Sequence, residues 1–175
     1  SSTVSLFSNT PPQVVGSRRT DEDFLLRPHS RIEGIYTLFY HEKEQGFFFP
    51  GEAHPMLELT YVDQGSLHSV ADGQDQLLKQ GDIVLYAPNQ WHMQYADVDV
   101  APRFVTITFD LEGSGLESLY NKKHTATPDT LALLRQMLHE LEQLDEYSND
   151  MILTQLNMLL LRLLRESKAP KTVKL

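Results

Sequence analysis

A mainly β fold followed by C-terminal helices is predicted by three observations on this 175-residue chain. Between residues 35 and 109 the apolar residues recur with a period of two, the spacing of half-buried strands. Glycines, prolines and an Asp-Gly pair interrupt those runs at short intervals, as turns between strands do. Beyond a Gly-Ser segment at Glu112 to Gly115 the period changes to about 3.6, that of an amphipathic helix.

Composition narrows the function classes. With 41% hydrophobic and 22% charged residues the chain falls among ordinary globular domains, and its length suits one domain that buries roughly 70% of its unfolded surface. The absence of cysteine excludes a disulfide framework, a thiolate nucleophile and a thiolate metal site together. No apolar run approaches the roughly 20 residues of a membrane span, and the N-terminus lacks a charged-then-apolar secretion signal, so a cytoplasmic location is the simplest expectation. A net charge of -9 argues against this chain gripping a phosphate backbone. Contact with DNA is therefore expected only through another domain.

Taken in order, residues 1–20 are rich in Ser, Thr and Pro without periodicity and read as a flexible arm, or as one anchored on its own domain or a partner by Phe7 or Val14-Val15. Ile35 to Tyr40 is β-branched and aromatic and predicts a strand, and Phe47-Phe48-Phe49 predicts a second. As one extended strand, Glu52 to Val62 would carry Glu52, His54, Glu58, Thr60 and Val62 on one face, with Leu57, Leu59 and Tyr61 on the other to pack against a further layer. Leu67 to Val70 pairs with Leu77 to Lys79 across Asp72-Gly73, which suits a tight turn, and places His68 on the hairpin as a surface or cross-strand residue. Gly81 to Tyr86 leads through the Pro88-Asn89-Gln90 turn to Trp91 and His92. Arg103 to Phe109 alternates again, with Thr106 and Thr108 extending a polar lining.

Thr127-Pro128-Asp129 predicts a helix start, with a hydroxyl N-cap, proline in the first turn and an acid beside it. Leu131, Leu134, Met137, Leu138, Leu141 and Leu144 form its apolar stripe. Ser148-Asn149-Asp150 starts a second helix running to about Arg165, with Pro170 barring its continuation. Ile152, Leu153, Leu156, Leu159, Leu160, Leu163 and Leu164 fill a core stripe on it, and Met151, Met158 and Leu161 widen the apolar arc enough to predict a self-association face, with Met151, Leu153, Met158 and Leu161 as its expected residues.

The polar stretch carries a resemblance. Glu52-x-His54-x3-Glu58-x6-Gly65 resembles the first motif of the cupins, with glutamate where the first metal-binding histidine usually stands. Gly81-x6-Pro88-x3-His92 resembles the second, with altered spacing, no glycine after the proline and Ala96 where asparagine is usual. From about Glu33 to Arg165 the order of elements resembles the sensing domain of AraC-type transcription regulators. The resemblance implies a cupin-like β-barrel (jelly roll) followed by a two-helix dimerisation hairpin. It implies an effector-binding barrel over 21–112, a helical dimerisation segment over 113–167, and at 168–175 the start of a linker to an absent helix-turn-helix DNA-binding domain. A homodimer that binds a small-molecule effector is the expected protein, with no enzymatic activity.

Glu52, His54, Glu58, Thr60, Trp91, His92 and Gln94 are the expected ligand-binding residues. Imidazole and carboxylate groups converging on one interior could hold a divalent metal, with His54, Glu58 and His92 as ligands and Glu52 as a fourth. The same groups could line a metal-free pocket, or form a polar core satisfied by mutual hydrogen bonds and water. Three ligands and an open position would be the layout of a catalytic centre, so a stand-alone metal-dependent cupin enzyme, dioxygenase or isomerase, is the alternative.

Overall fold

A computed structural model describes residues 9–10 and 28–168 of the chain. The expected arm over 1–20 and linker over 168–175 lie outside the described residues, save for residues 9–10 and Lys168. Among the described residues nine strands and two α-helices follow in order: β1 (Arg31–Glu42), β2 (Phe48–Glu52), β3 (Leu57–Gln64), β4 (Ser66–Ala71), β5 (Gln74–Lys79), β6 (Asp82–Tyr86), β7 (His92–Tyr95), β8 (Arg103–Glu112), β9 (Lys123–Thr125), α1 (Pro128–Glu140) and α2 (Ser148–Lys168). The strands form two antiparallel sheets, ordered β1-β8-β3-β6-β9 and β2-β7-β4-β5, in a jelly-roll arrangement.

Strand alternation divides the apolar residues into two cores. Val62, Val84 and Phe104 of the five-stranded sheet meet Leu67, Ala71 and Leu78 of the four-stranded one, which closes the space between the sheets. The other face of the five-stranded sheet carries Leu57, Leu59, Tyr61, Ile83, Leu85, Val105, Ile107 and Phe109, and these pack on Leu134, Met137, Ile152, Leu156, Leu159 and Leu163 of the helices. The odd-numbered row of β3 is thus the face that supports a second layer. The even-numbered Glu58, Thr60 and Val62 look inward.

The Ala71–Gln74 hairpin turns on Asp72 and Gly73, both at positive φ (51° and 71°), the geometry of a two-residue turn that matches strand twist. Thr127 caps α1 by accepting the Thr130 N–H, as the sequence predicts.

Three expectations are corrected. Glu52 to Val62 is not one strand: the chain leaves β2 at Glu52 and enters β3, in the other sheet, at Leu57, with Pro55 in the intervening bend. The helical stripe of α1 stops short of Leu144, which is exposed. Side chains capture the backbone there: Asp145 Oδ1 accepts from the Tyr147 N–H and Ser148 Oγ from the Asp145 N–H, each at 2.8 Å, an alternative to further helix. Finally, the sheet gains β9 from within the segment that periodicity assigns to helices; three residues are too few to show a period.

Candidate functional site

β2 and β7 pair so that Phe49 lies opposite Gln94 and Glu52 opposite His92. Three residues advance on one strand while two advance on the other, so an extra residue is bulged at Pro50-Gly51. Without the bulge Phe49 and Glu52 would face opposite sides; with it both turn to the space between the sheets. Gly51 adopts φ +106°, and a Cβ there would stand 2.6 Å from the Trp91 ring. Trp91 therefore closes over the bulge and helps aim Glu52.

The side chains of Glu52, His54, Glu58 and His92 converge, with one ligand atom from each lying within 4.8 Å of all the others. His54 Nε2 is 3.3 Å from Glu58 Oε1 and 3.4 Å from Glu52 Oε1. His92 Nε2 is 3.0 Å from Glu58 Oε2 and 4.0 Å from Glu52 Oε1. Each ring is fixed from behind by a nearby backbone carbonyl: His54 Nδ1 donates to Met56 O at 2.9 Å and His92 Nδ1 to Gln90 O at 3.0 Å. That choice turns both Nε2 atoms toward the carboxylates, His54 Nε2 within hydrogen-bond distance of Glu58 Oε1 at 3.3 Å.

His92 is the most constrained member. Its side chain is 1% exposed, stacked on Tyr86 at 4.2 Å and 10°, with the His54 ring edge-on at 5.1 Å. Although Nε2 comes within 3.0 Å of Glu58, the direction of approach is not that of a hydrogen bond, and this buried atom has no hydrogen-bond partner among the described residues. Burial pushes the His92 pKa down, but the Glu58 carboxylate, the Gln90 carbonyl and Glu52 outweigh it and the pKa is raised. A positive charge at Nε2 is what this environment favours.

Tyr86, under the His92 ring, is itself pinned. Its hydroxyl lies 2.5 Å from Ser69 Oγ and accepts from Gln94 Nε2 at 3.1 Å, and Gln94 Nε2 also donates to Thr60 Oγ1 at 3.0 Å. Burial pushes the Tyr86 pKa up to about 12, so it stays a neutral phenol. Thr60 is thus engaged in a buried network rather than presented to a ligand.

Beside the cluster lies a cavity of about 270 Å³, lined by His41, Lys43, Phe47, Phe49, Glu52, Glu58, Gln94, Phe104 and Thr106. Of the expected ligand residues, Glu52, Glu58 and Gln94 line it; His54 and His92 stand behind the carboxylates, and Trp91 covers Gly51. His41 and Lys43 were not foreseen, because they lie past the Ile35 to Tyr40 run that predicts the strand. Burial and Lys43 push the His41 pKa down, against the pull of Glu58. A larger open groove of about 400 Å³ lies elsewhere, lined by Ile35, Tyr36, Leu38, Leu141, Ile152 and Leu153, and holds no residue of the cluster.

The donor set fits a divalent cation. Ligands held about 2.1 Å from a zinc-like ion sit roughly 3.4 Å apart in a tetrahedron; the four imidazole–carboxylate separations run from 3.0 to 4.0 Å, the two to Glu58 through different oxygens, and the full set lies within 4.8 Å. Two imidazoles and two carboxylates suit a borderline or hard ion such as zinc, iron or manganese.

The domain is thus a two-sheet jelly roll with an interior polar cluster and a helical pair on its outer face. The model of the AraC-like ligand binding domain matches residues 34–161, and the chain belongs to that family. Among solved structures it is similar to an apo lysine-to-alanine variant of ToxT from Vibrio cholerae, with 10% identity and a TM-score of 0.56 over 75% of this chain and 56% of that one. The chain thus matches little more than half the length of that relative. It is also similar to a cupin protein from Bacteroides fragilis (20% identity, TM-score 0.41, 63% of this chain and 94% of that one). A third similar structure is a cupin 2 domain-containing protein from Halorhodospira halophila (24% identity, TM-score 0.40, 57% and 63%). No curated protein matches the sequence. No helix among the described residues is long and apolar enough to cross a membrane.

Proposed function

We propose that this chain is the effector-sensing and dimerisation part of an AraC-type transcription regulator, and that a small molecule bound between its sheets controls an attached helix-turn-helix domain. The observation that carries this reading is the position of the cavity on β3. Glu58 lines the cavity, while Leu57 and Leu59 on either side of it are buried against the helical layer. One rigid strand therefore touches both the effector and the helices, and occupancy on one face can bias packing on the other. His54, Glu58 and His92, with Glu52, hold a divalent cation in this reading, which would neutralise the carboxylates and fix the cavity wall.

The test is a thermal-shift screen of small molecules against wild type and Glu58→Ala. A ligand at a hundred times its Kd adds about 2.7 kcal/mol, a rise of roughly 5–10 °C for a domain of this size. The shift is expected in wild type and absent in the variant; equal shifts in both would place the effector elsewhere.

Self-association uses the exposed side of α2, where Met151, Met158 and Leu161 fall on one face. Leu153 points instead into the groove beside β1. Each of the three has 37–47% of its surface left to bury, worth about 1 kcal/mol apiece, and Met158→Glu with Leu161→Glu is expected to give a folded monomer in analytical ultracentrifugation. A dimer that survives both changes lies on another surface.

The convergent cluster also favours a second reading, a metal-dependent cupin enzyme. Finding a helix-turn-helix in the reading frame beyond Leu175 would support the regulator.

A further inference from the structure

The two carboxylates of the cluster are held in different ways. Glu58 has 9% of its side chain exposed and lends one oxygen to each histidine. Glu52 is 47% exposed and offers a single oxygen, Oε1, at 3.4 and 4.0 Å from the same two rings. Among the described residues nothing holds its second oxygen by a hydrogen bond. Glu52 stands at the free end of β2, just past the bulge, and forms part of the cavity wall. A ligand that is half exposed, held on one side and in contact with the cavity can leave without disturbing the other three.

The rest of the wall says what could replace it. Phe47, Phe49 and Phe104 supply an apolar aromatic surface, and the Lys43 ammonium, 5.3 Å from the Phe47 ring centre, brings a positive charge. The volume, about 270 Å³, falls below the usual range for drug-sized ligands, roughly 300–1,000 Å³. We propose that Glu52 is the exchangeable ligand of a divalent cation held by His54, Glu58 and His92, and that the cavity takes a small aromatic carboxylate whose oxygens replace those of Glu52. This rests on the reading of the cavity as the effector site and of the cluster as a cation site. The incoming carboxylate matches the charge and donor type of the one it displaces, and its ring lies against the phenylalanines. Without the cation, Glu52 and Glu58 would repel it, so binding is cation-dependent.

The test uses the full chain, Co(II) as the cation and benzoate as the probe, read by visible absorption and isothermal titration. Wild type is expected to bind one Co(II), and Glu52→Ala and Glu52→Gln to bind it within about tenfold of wild type. Benzoate is expected to change the cobalt spectrum in all three and to bind both variants at least tenfold more tightly, because no internal carboxylate occupies its position. Without Co(II) no benzoate binding is expected. Loss of Co(II) by both variants with circular dichroism unchanged would make Glu52 a fixed ligand and overturn the proposal. So would a cobalt spectrum that benzoate leaves unaltered. Failure of wild type itself to bind Co(II) would overturn the cation reading beneath it.

Discussion

Two of the places where histidine meets carboxylate in this domain differ in where the imidazole nitrogens point. On the outer surface His68 lies between Asp97, 2.9 Å from Nε2, and Asp75, 3.5 Å from Nδ1, while its ring stacks on Tyr95 at 4.3 Å. Both aspartates are about half exposed, and Asp75 also accepts from the Tyr95 hydroxyl at 2.8 Å. Each nitrogen has its own partner, on opposite sides of the ring. In the interior, His54 and His92 give their Nδ1 atoms to the backbone and turn both Nε2 atoms to one point. Residue type is the same in both places. Divergent nitrogens with exposed partners make a satisfied surface cross-link, whereas convergent nitrogens, one of them buried and unpartnered, make a cluster that could hold a cation.

The largest effect that sharpens this contrast is expected at Tyr86, the floor beneath His92. Tyr86→Ala removes a fully buried ring and is expected to destabilise the domain by about 3–5 kcal/mol in urea unfolding. Tyr86→Phe keeps the ring but strands Ser69 and Gln94, at about 1–3 kcal/mol. A cost below about 0.5 kcal/mol for the phenylalanine variant would mean that the hydroxyl network does not hold the site.

A smaller effect is expected at Gly51. An alanine there meets the Trp91 ring and a backbone conformation that side chains rarely adopt, which costs about 1–3 kcal/mol. It would also turn Glu52 away from the cluster. Gly51→Ala with wild-type stability would show that the bulge does not depend on this residue. The smallest effect is expected at the outer site: His68→Ala should cost less than about 1 kcal/mol, because partly exposed ion pairs are screened by water. A larger loss would make the surface cluster a structural element in its own right.

Much of this was legible in the sequence, and the failures have physical causes. Period-two alternation identified the inward face of β3 and the apolar row that packs on the helices, because a strand buried on one side must alternate. Glu52, His54, Glu58 and His92 were singled out as one set, but on the premise of a continuous strand. The structure reaches the same convergence differently, by a sheet change at Pro55 and a bulge at Pro50-Gly51. Parity counting cannot see a bulge, whereas His41 and Lys43 escape because they lie past the Ile35 to Tyr40 run that predicts the strand. Trp91 reads from the sequence as aromatic surface near the barrel mouth, and the positive φ of Gly51 shows that its ring also covers the bulge. Leu153 belongs by sequence both to the core stripe and to the expected interface; its position on the helix turns it to the β1 groove.

The measurement that bears most directly on the contrast is calorimetric titration of Zn(II) into wild type, His92→Ala and His68→Ala. Convergence predicts that wild type and His68→Ala bind one ion with the same affinity, while His92→Ala loses about a hundredfold or more. Wild-type affinity in His92→Ala, or loss of the ion in His68→Ala, would contradict the assignment of the cation site to the interior cluster.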